Sequence, residues 1–308
     1  MGRRVSDPAP LVAPAGRQGP GPVPGPLVEA LDLVVSRRTA GVLPGERRSR
    51  GLGLGTELAQ LRPYQVGDDV RRLDASASAR TGVPHVRLDV PERALTTWLV
   101  LDVSPSMAFG TARRLKADVA EGVASVVGRL AVRRGGRIGA VTCGAATERL
   151  LPPRGGRGAL VGIRRIAAEG VAGDGHADPE ALGRALRRVG RLARQSGLVV
   201  VASDFRDDPL QWRPALAAVG AHHAVLAAEV RDPRESALPD AGRLSLVDPE
   251  TGAHVEADTS SPALRERFAA AEADRQTAAA AAIRAARAHH VVLRTNGDWL
   301  RELGRRLR

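Results

Sequence analysis

From Thr96 onward, short apolar runs alternate with longer segments of helical period. The runs are 98–101, 137–141, 198–202, 224–228 and 291–293. Fully apolar runs of this length suit strands buried on both faces of a parallel sheet. After the first run, Leu115, Val119, Val123, Val126 and Leu130 recur at helical spacing, and the pattern stops at Gly135-Gly136. This predicts a helix over 112–134. The segments 157–168, 179–195, 208–219 and 262–288 read as further helices. Such alternation implies right-handed crossovers with helices on both faces: an α/β fold built on a doubly wound, mostly parallel sheet. The stretch RLSLVDPETGAHVEA, 243–257, breaks the pattern, and its Asp-Pro-Glu-Thr-Gly centre predicts an inserted hairpin.

Upstream the texture changes. Residues 1–26 are dense in Pro and Gly, with Asp7 as the sole acid, and predict a disordered tail. In LVEALDLVV, 27–35, Leu27, Leu31 and Val34 are spaced for a short helix. Residues 47–95 hold polar, glycine-punctuated short strands. The expected organisation is therefore a tail over 1–26, a small β-rich N-terminal subdomain over 27–95, and the α/β domain over 96–308. Gly51, Gly53 and Gly55 do not make a dinucleotide fingerprint: no strand–turn–helix unit surrounds them and the sixth-position glycine is missing.

Composition narrows the function classes. Apolar residues make up 43% of the 308, enough for a substantial core, but aromatics only 2%. Such a chain is poorly equipped to stack on single-stranded bases. The formal net charge is +12. Of the 46 basic residues only Lys116 is a lysine; with the abundance of Ala and Gly this reflects a GC-rich coding sequence. The arginines are scattered rather than gathered, so the charge is not read as a nucleic-acid footprint. Cys143 is the only cysteine, which rules out an intramolecular disulfide and fits a reducing cytoplasm. No apolar stretch is long enough for a membrane span, and the N-terminus lacks the apolar core of a signal peptide.

The candidate chemistry lies in TTWLVLDVSPSM, 96–107. Asp102 ends a buried run, and Asp204 follows another in LVVVASDF. Ligands of doubly wound sheets bind beyond the carboxyl ends of the strands, so both carboxylates are expected to face one crevice. Ser104 and Ser106 lie in the turn after Asp102. Carboxylate and hydroxyl oxygens are the hard ligands that Mg²⁺, Mn²⁺ or Ca²⁺ prefer. The competing reading is that Asp102 and Ser104 only cap the following helix. An Asp-x-Ser-x-Ser directly after a buried strand, with a second strand-end aspartate, favours the ion site.

VLDVSPSM resembles the metal-ion-dependent adhesion site of von Willebrand factor A-type domains. The resemblance implies an ion held by Asp102, Ser104 and Ser106, a threonine from a second loop, and Asp204 from a third. The second loop falls in AEGVAGDGHADPEAL, 168–182, which contains no threonine. Asp174, His176 or Asp178 would substitute, or the ion lacks that ligand. The expectation is an incomplete Mg²⁺ or Mn²⁺ site at Asp102, Ser104, Ser106 and Asp204, with Asp178 as the substitute.

GLGLGTELAQLRPYQVGDDVRRLDASASARTGVPHVR is similar to the signature of the bacterial family called domain of unknown function 58. Gly53, Glu57, Leu61, Arg62, Tyr64, Gly67, Asp68, Asp69, Arg71, Asp74 and Arg80 fit it, while Leu58 and Ala75 replace the usual Phe and Trp. The segments 232–252 and 293–307 also fit, so the resemblance covers about residues 28–308. The cluster Asp68, Asp69, Arg71, Arg72, Asp74 and Arg80 reads either as an internal ion-pair network pinning the small domain to the sheet or as a partner-binding face. The resemblance implies a non-enzymatic interaction module associated with a MoxR-type AAA ATPase in assembly or maturation of other proteins, its ion or loop engaging an acidic side chain. The alternative is an Asp-dependent phosphatase or phosphotransferase. Against it, Ser104 stands where a second aspartate would act as acid, and Lys116, the only lysine for a phosphate, is predicted well along the first helix. No G-x-S-x-G surrounds Ser104 or Ser106, which excludes a hydrolase elbow. The histidines lack metal-protease spacing.

Overall fold

Two antiparallel strands, β1 (Glu57–Pro63) and β2 (His85–Val90), frame the smaller of two units, Gly45–Ala94. This is a computed structural model, and it describes residues 18–24, 57–90, 95–133, 135–171 and 178–307. The expected helix at 27–35, the glycines 51–55, and Asp174 and His176 of the second loop lie outside the described residues. Within the small unit the signature cluster closes local bonds. Arg62 grips Asp68 with both terminal nitrogens, at 2.6 and 2.8 Å. Asp74 caps α1 (Ala75–Thr81) by accepting from the Ala77 N–H at 2.8 Å, and its other oxygen takes Arg87 Nε at 2.6 Å.

The larger unit holds a six-stranded sheet. Its strands are β3 (Thr96–Asp102), β4 (Arg137–Cys143), β5 (Leu150–Arg154), β6 (Leu198–Ser203), β7 (Ala224–Arg231) and, after a two-stranded hairpin, β10 (His289–Arg294). The order is β10-β7-β6-β3-β4-β5, all parallel except β5 against β4. This is the mostly parallel α/β sheet that the apolar runs predict. The hairpin, β8 (Arg243–Val247) with β9 (His254–Asp258), matches the expected insertion to within a residue.

Alternation along β3 sends its side chains to two cores. Leu99 and Leu101 pack with α2 (Lys116–Arg133), α3 (Gly156–Glu169) and α7 (Trp299–Leu307). Trp98 and Val100 pack with α4 (Ala181–Leu192), α5 (Pro209–Gly220) and α6 (Pro262–Ala285). With both faces covered, no polar alternation survives in β3, and the run reads as purely apolar.

Three features depart from the sequence reading. β5 carries Pro152 and Pro153, which cannot donate to a ladder and hide a strand from pattern reading; the edge position makes them tolerable. Helix α2 opens at Lys116 rather than at residue 112, because the Asp118 carboxylate accepts the Leu115 N–H at 2.9 Å. Finally, residues 18–20, inside the stretch expected to be disordered, make defined hydrogen bonds. The N–H groups of Gln18 and Gly19 each donate to Asp118 at 3.1 Å, and the Pro20 carbonyl accepts from Trp299 Nε1 at 3.0 Å and Arg114 Nη1 at 2.8 Å. Composition misleads here because the contacts are made by backbone groups, which Pro-Gly segments also possess.

Candidate functional site

β3 and β6 are parallel neighbours, so Asp102 and Asp204 emerge at the same end of the sheet. Behind Asp102 the chain turns through a 3-10 segment, Pro105–Ala108, with Ser106 and Met107 buried. Gly144, just past β4, allows this turn to pack: its φ is +86°, and a Cβ there would lie 2.6 Å from Ser104 Cβ. Beyond Asp204, buried Phe205 holds a φ of 50° and packs edge-on against Trp212 with ring centroids 5.2 Å apart. A left-handed Phe is a strained conformation, sustained here by its burial.

The side chains at this end bond to one another. The Ser104 N–H donates to Asp102 Oδ1 at 3.0 Å, and the Ser203 hydroxyl donates to Asp102 Oδ2 at 2.6 Å. The Ser104 and Ser106 hydroxyls lie 3.1 Å apart, and the nearby Ser106 helps to lower the pKa of Asp204. Lys116 Nζ sits 2.6 Å from Asp204 Oδ2 and 2.6 Å from Glu235 Oε1, its side chain wholly buried. Arg206 extends the network, reaching Glu235 at 3.5 Å and Glu272 at 3.2 Å. The Glu250 carboxylate, in the β8–β9 turn, accepts the Ser106 N–H at 2.8 Å.

These contacts set the protonation states. Desolvation, then the charge of Asp204, pushes the Asp102 carboxyl up to about 6, against the pull of its serine donors. Desolvation also acts on Asp204, but the Lys116 ammonium together with Ser106 and Arg206 outweighs it and holds the carboxyl below the usual range. Burial works against the charge on Lys116, and the carboxylates of Asp204 and Glu235 overcome it, raising its pKa. The Cys143 thiol, behind the loop, is pushed well up by burial and then by Asp102, so it does not supply a thiolate nucleophile.

A cavity of about 590 Å³ opens here, lined by Asp102, Ser104, Ser106, Asp178, Asp204 and Asp207 on one side and by the hairpin on the other. All five residues expected from the sequence thus border one space. Each is also bonded within the protein. Asp178 accepts the Glu180 N–H and pairs with Arg184; Asp102 is held by Ser104 and Ser203, and Asp204 by Lys116. Among the described residues no group of three or more His, Cys, Asp or Glu is arranged to hold a metal. The carboxylate and hydroxyl oxygens of Asp102, Ser104, Ser106 and Asp204 are of the type Mg²⁺ takes, and an ion seated there would compete with the bonds just described.

Sequence reasoning passed over Glu235 and Glu250, and placed Lys116 too far along its helix. Glu250 lies in the turn chemistry already singled out, but nothing local says that the turn folds over Ser106.

The molecule is an α/β protein with a self-bonded polar cluster at the carboxyl ends of two adjacent parallel strands. The chain belongs to the family described as "Protein of unknown function DUF58", whose family model matches residues 60–278. It is 39% identical over 284 residues to "Uncharacterized protein Rv1480" of Mycobacterium tuberculosis, covering 90% of this chain and 87% of that one. The match to "Uncharacterized protein Mb1516" of Mycobacterium bovis has the same values, 39% over 284 residues. Among solved structures it is similar to the conserved hypothetical protein BatB from Bacteroides thetaiotaomicron, with a TM-score of 0.43, 14% identity, and coverage of 69% of this chain and 97% of that one. For the SpRpn10 VWA domain the TM-score is 0.36 at 14% identity, covering 68% and 93%.

Proposed function

We propose that the protein is a non-enzymatic protein-interaction module that works in the cytoplasm with a MoxR-type AAA ATPase, in the assembly or maturation of other proteins. The partner is the one the family resemblance implies. The observation that carries the interaction reading is the rim of the strand-end cavity. There the hairpin presents Val247 and Val255 to solvent, 52% and 58% exposed, beside the buried polar cluster. Exposed apolar side chains grouped at a concave site with a polar surround suit a protein partner. No helix among the described residues is long and apolar enough to cross a membrane.

The alternative, an Asp-dependent phosphatase or phosphotransferase, has less support. A phosphate site needs a free cation; Lys116 is fully buried between two carboxylates, and Arg206, which lines the cavity, is paired with Glu235 and Glu272. The reading is tested by titrating the full chain against the MoxR-type ATPase of the same genome, with ATP and with ADP, by calorimetry. The expected result is saturable binding that weakens at least about tenfold, roughly 1.4 kcal/mol, in Val247→Asp/Val255→Asp. Absence of binding in either nucleotide state, or turnover of a generic phosphate ester that disappears in Asp102→Asn, overturns it.

A further inference from the structure

We propose that the Lys116 ammonium is the resident cation of the strand-end site and takes the place of a divalent ion, so that the loop 102–106 keeps its shape without metal. The proposal rests on the geometry of the loop and is independent of which partner binds.

Two acidic groups, Asp204 and Glu235, converge on one point from different parts of the chain. Each places an oxygen 2.6 Å from Lys116 Nζ. Neither carboxylate has much water to screen it, with side-chain exposures of 6% and 12%. Two such groups need a cation between them. The ammonium supplies it, at the edge of the cavity that Asp204 shares with the hydrogen-bonded pair Ser104 and Ser106. The Asp102 side of the loop is closed independently by Ser203 and the Ser104 N–H. A divalent ion seated among these residues would have to displace serine hydrogen bonds and stand close to a buried positive charge.

The sequence adds a second, independent indication. Arginine fills 45 of the 46 basic positions, and the one lysine is the residue at this point. An ammonium is a compact point charge with three donors at one atom, as a small ion is. A guanidinium is a planar fork that spreads its donors and needs more room. Here one ammonium nitrogen meets two carboxylate oxygens, each at 2.6 Å.

Thermal melting and calorimetry of the full chain in zero to ten millimolar MgCl₂ and MnCl₂, matched in ionic strength with NaCl, test this. The parent is expected to show no saturable heat and no metal-specific change in Tm. Lys116→Met is expected to melt at lower temperature without metal and to regain at least about 3 °C with Mn²⁺, a response lost in Lys116→Met/Asp204→Asn. Should Lys116→Met fail to fold, Lys116→Met/Glu235→Gln removes the second buried charge and is read in the same way. Saturable ion binding by the parent that Asp102→Ala abolishes overturns the proposal. So does a folded Lys116→Met whose melting ignores both metals.

Discussion

Asp102 carries a proton more readily in the folded chain than in the unfolded one, where a carboxyl titrates near its ordinary value of about 3.9. Its folded value of about 6 is set first by desolvation and then by Asp204. Between about pH 4 and 6 the folded state therefore binds more protons, and stability falls as pH rises through that window. Asp204 has the opposite sign. Its pKa is depressed, so its contribution is present above the ordinary value and lost only as pH falls below it. In Asp102→Asn the fall in stability between pH 4 and 6.5 should shrink by about 2 kcal/mol, measured by urea unfolding at the two pH values. Equal pH slopes in parent and variant would refute the assignment. The sequence exposed Asp102, Ser104, Ser106 and Asp204 because each lies beside an apolar run. It did not expose their partners: Asp204 and Lys116 are 88 residues apart, Lys116 and Glu235 are 119 apart, and Ser106 and Glu250 are 144 apart.

Elements were legible where one rule governed them. The parallel strands are covered on both faces and show as unbroken apolar runs. β5 escaped because an antiparallel edge strand can carry prolines, and the start of α2 moved because a capping carboxylate, not periodicity, ends the loop before it. The loop after β4 illustrates a positional demand that no pattern reveals. Gly144 has positive φ and leaves no room for a Cβ beside Ser104. Gly144→Ala should therefore cost about 1–3 kcal/mol by combining backbone strain with overpacking, measured by denaturant midpoint at constant m-value. Gly135→Ala is the control for strain alone: it shares a positive φ, but nothing lies within 4 Å of its built Cβ. If both variants lose the same stability, the contact with Ser104 contributes nothing.

At the scale of the whole molecule, part of the N-terminal segment is tied to the large unit by backbone hydrogen bonds that composition does not reveal. Residues 18–24 satisfy groups on two helices of the large unit, including the indole N–H of Trp299, whose side chain is buried in the core. Deleting residues 1–24 should lower Tm by about 3–6 °C, the shift produced by roughly 1–2 kcal/mol in a domain of this size. Trp299→Phe, which keeps a ring but removes the donor, should reproduce part of the loss. An unchanged Tm on deletion would mean that these hydrogen bonds only replace equivalent ones to water.

The sequence by itself determined the alternation of strand and helix, the mostly parallel sheet, the hairpin, and the loop that ends β3. Each of these follows from local periodicity or turn chemistry, which a short window contains. Only the tertiary structure decided what that loop does. It brought a lysine, two glutamates and a serine from distant segments onto Asp102, Ser104, Ser106 and Asp204. Burial made their mutual charges decisive, so the chain's one lysine, which periodicity placed along a helix, ends between two carboxylates.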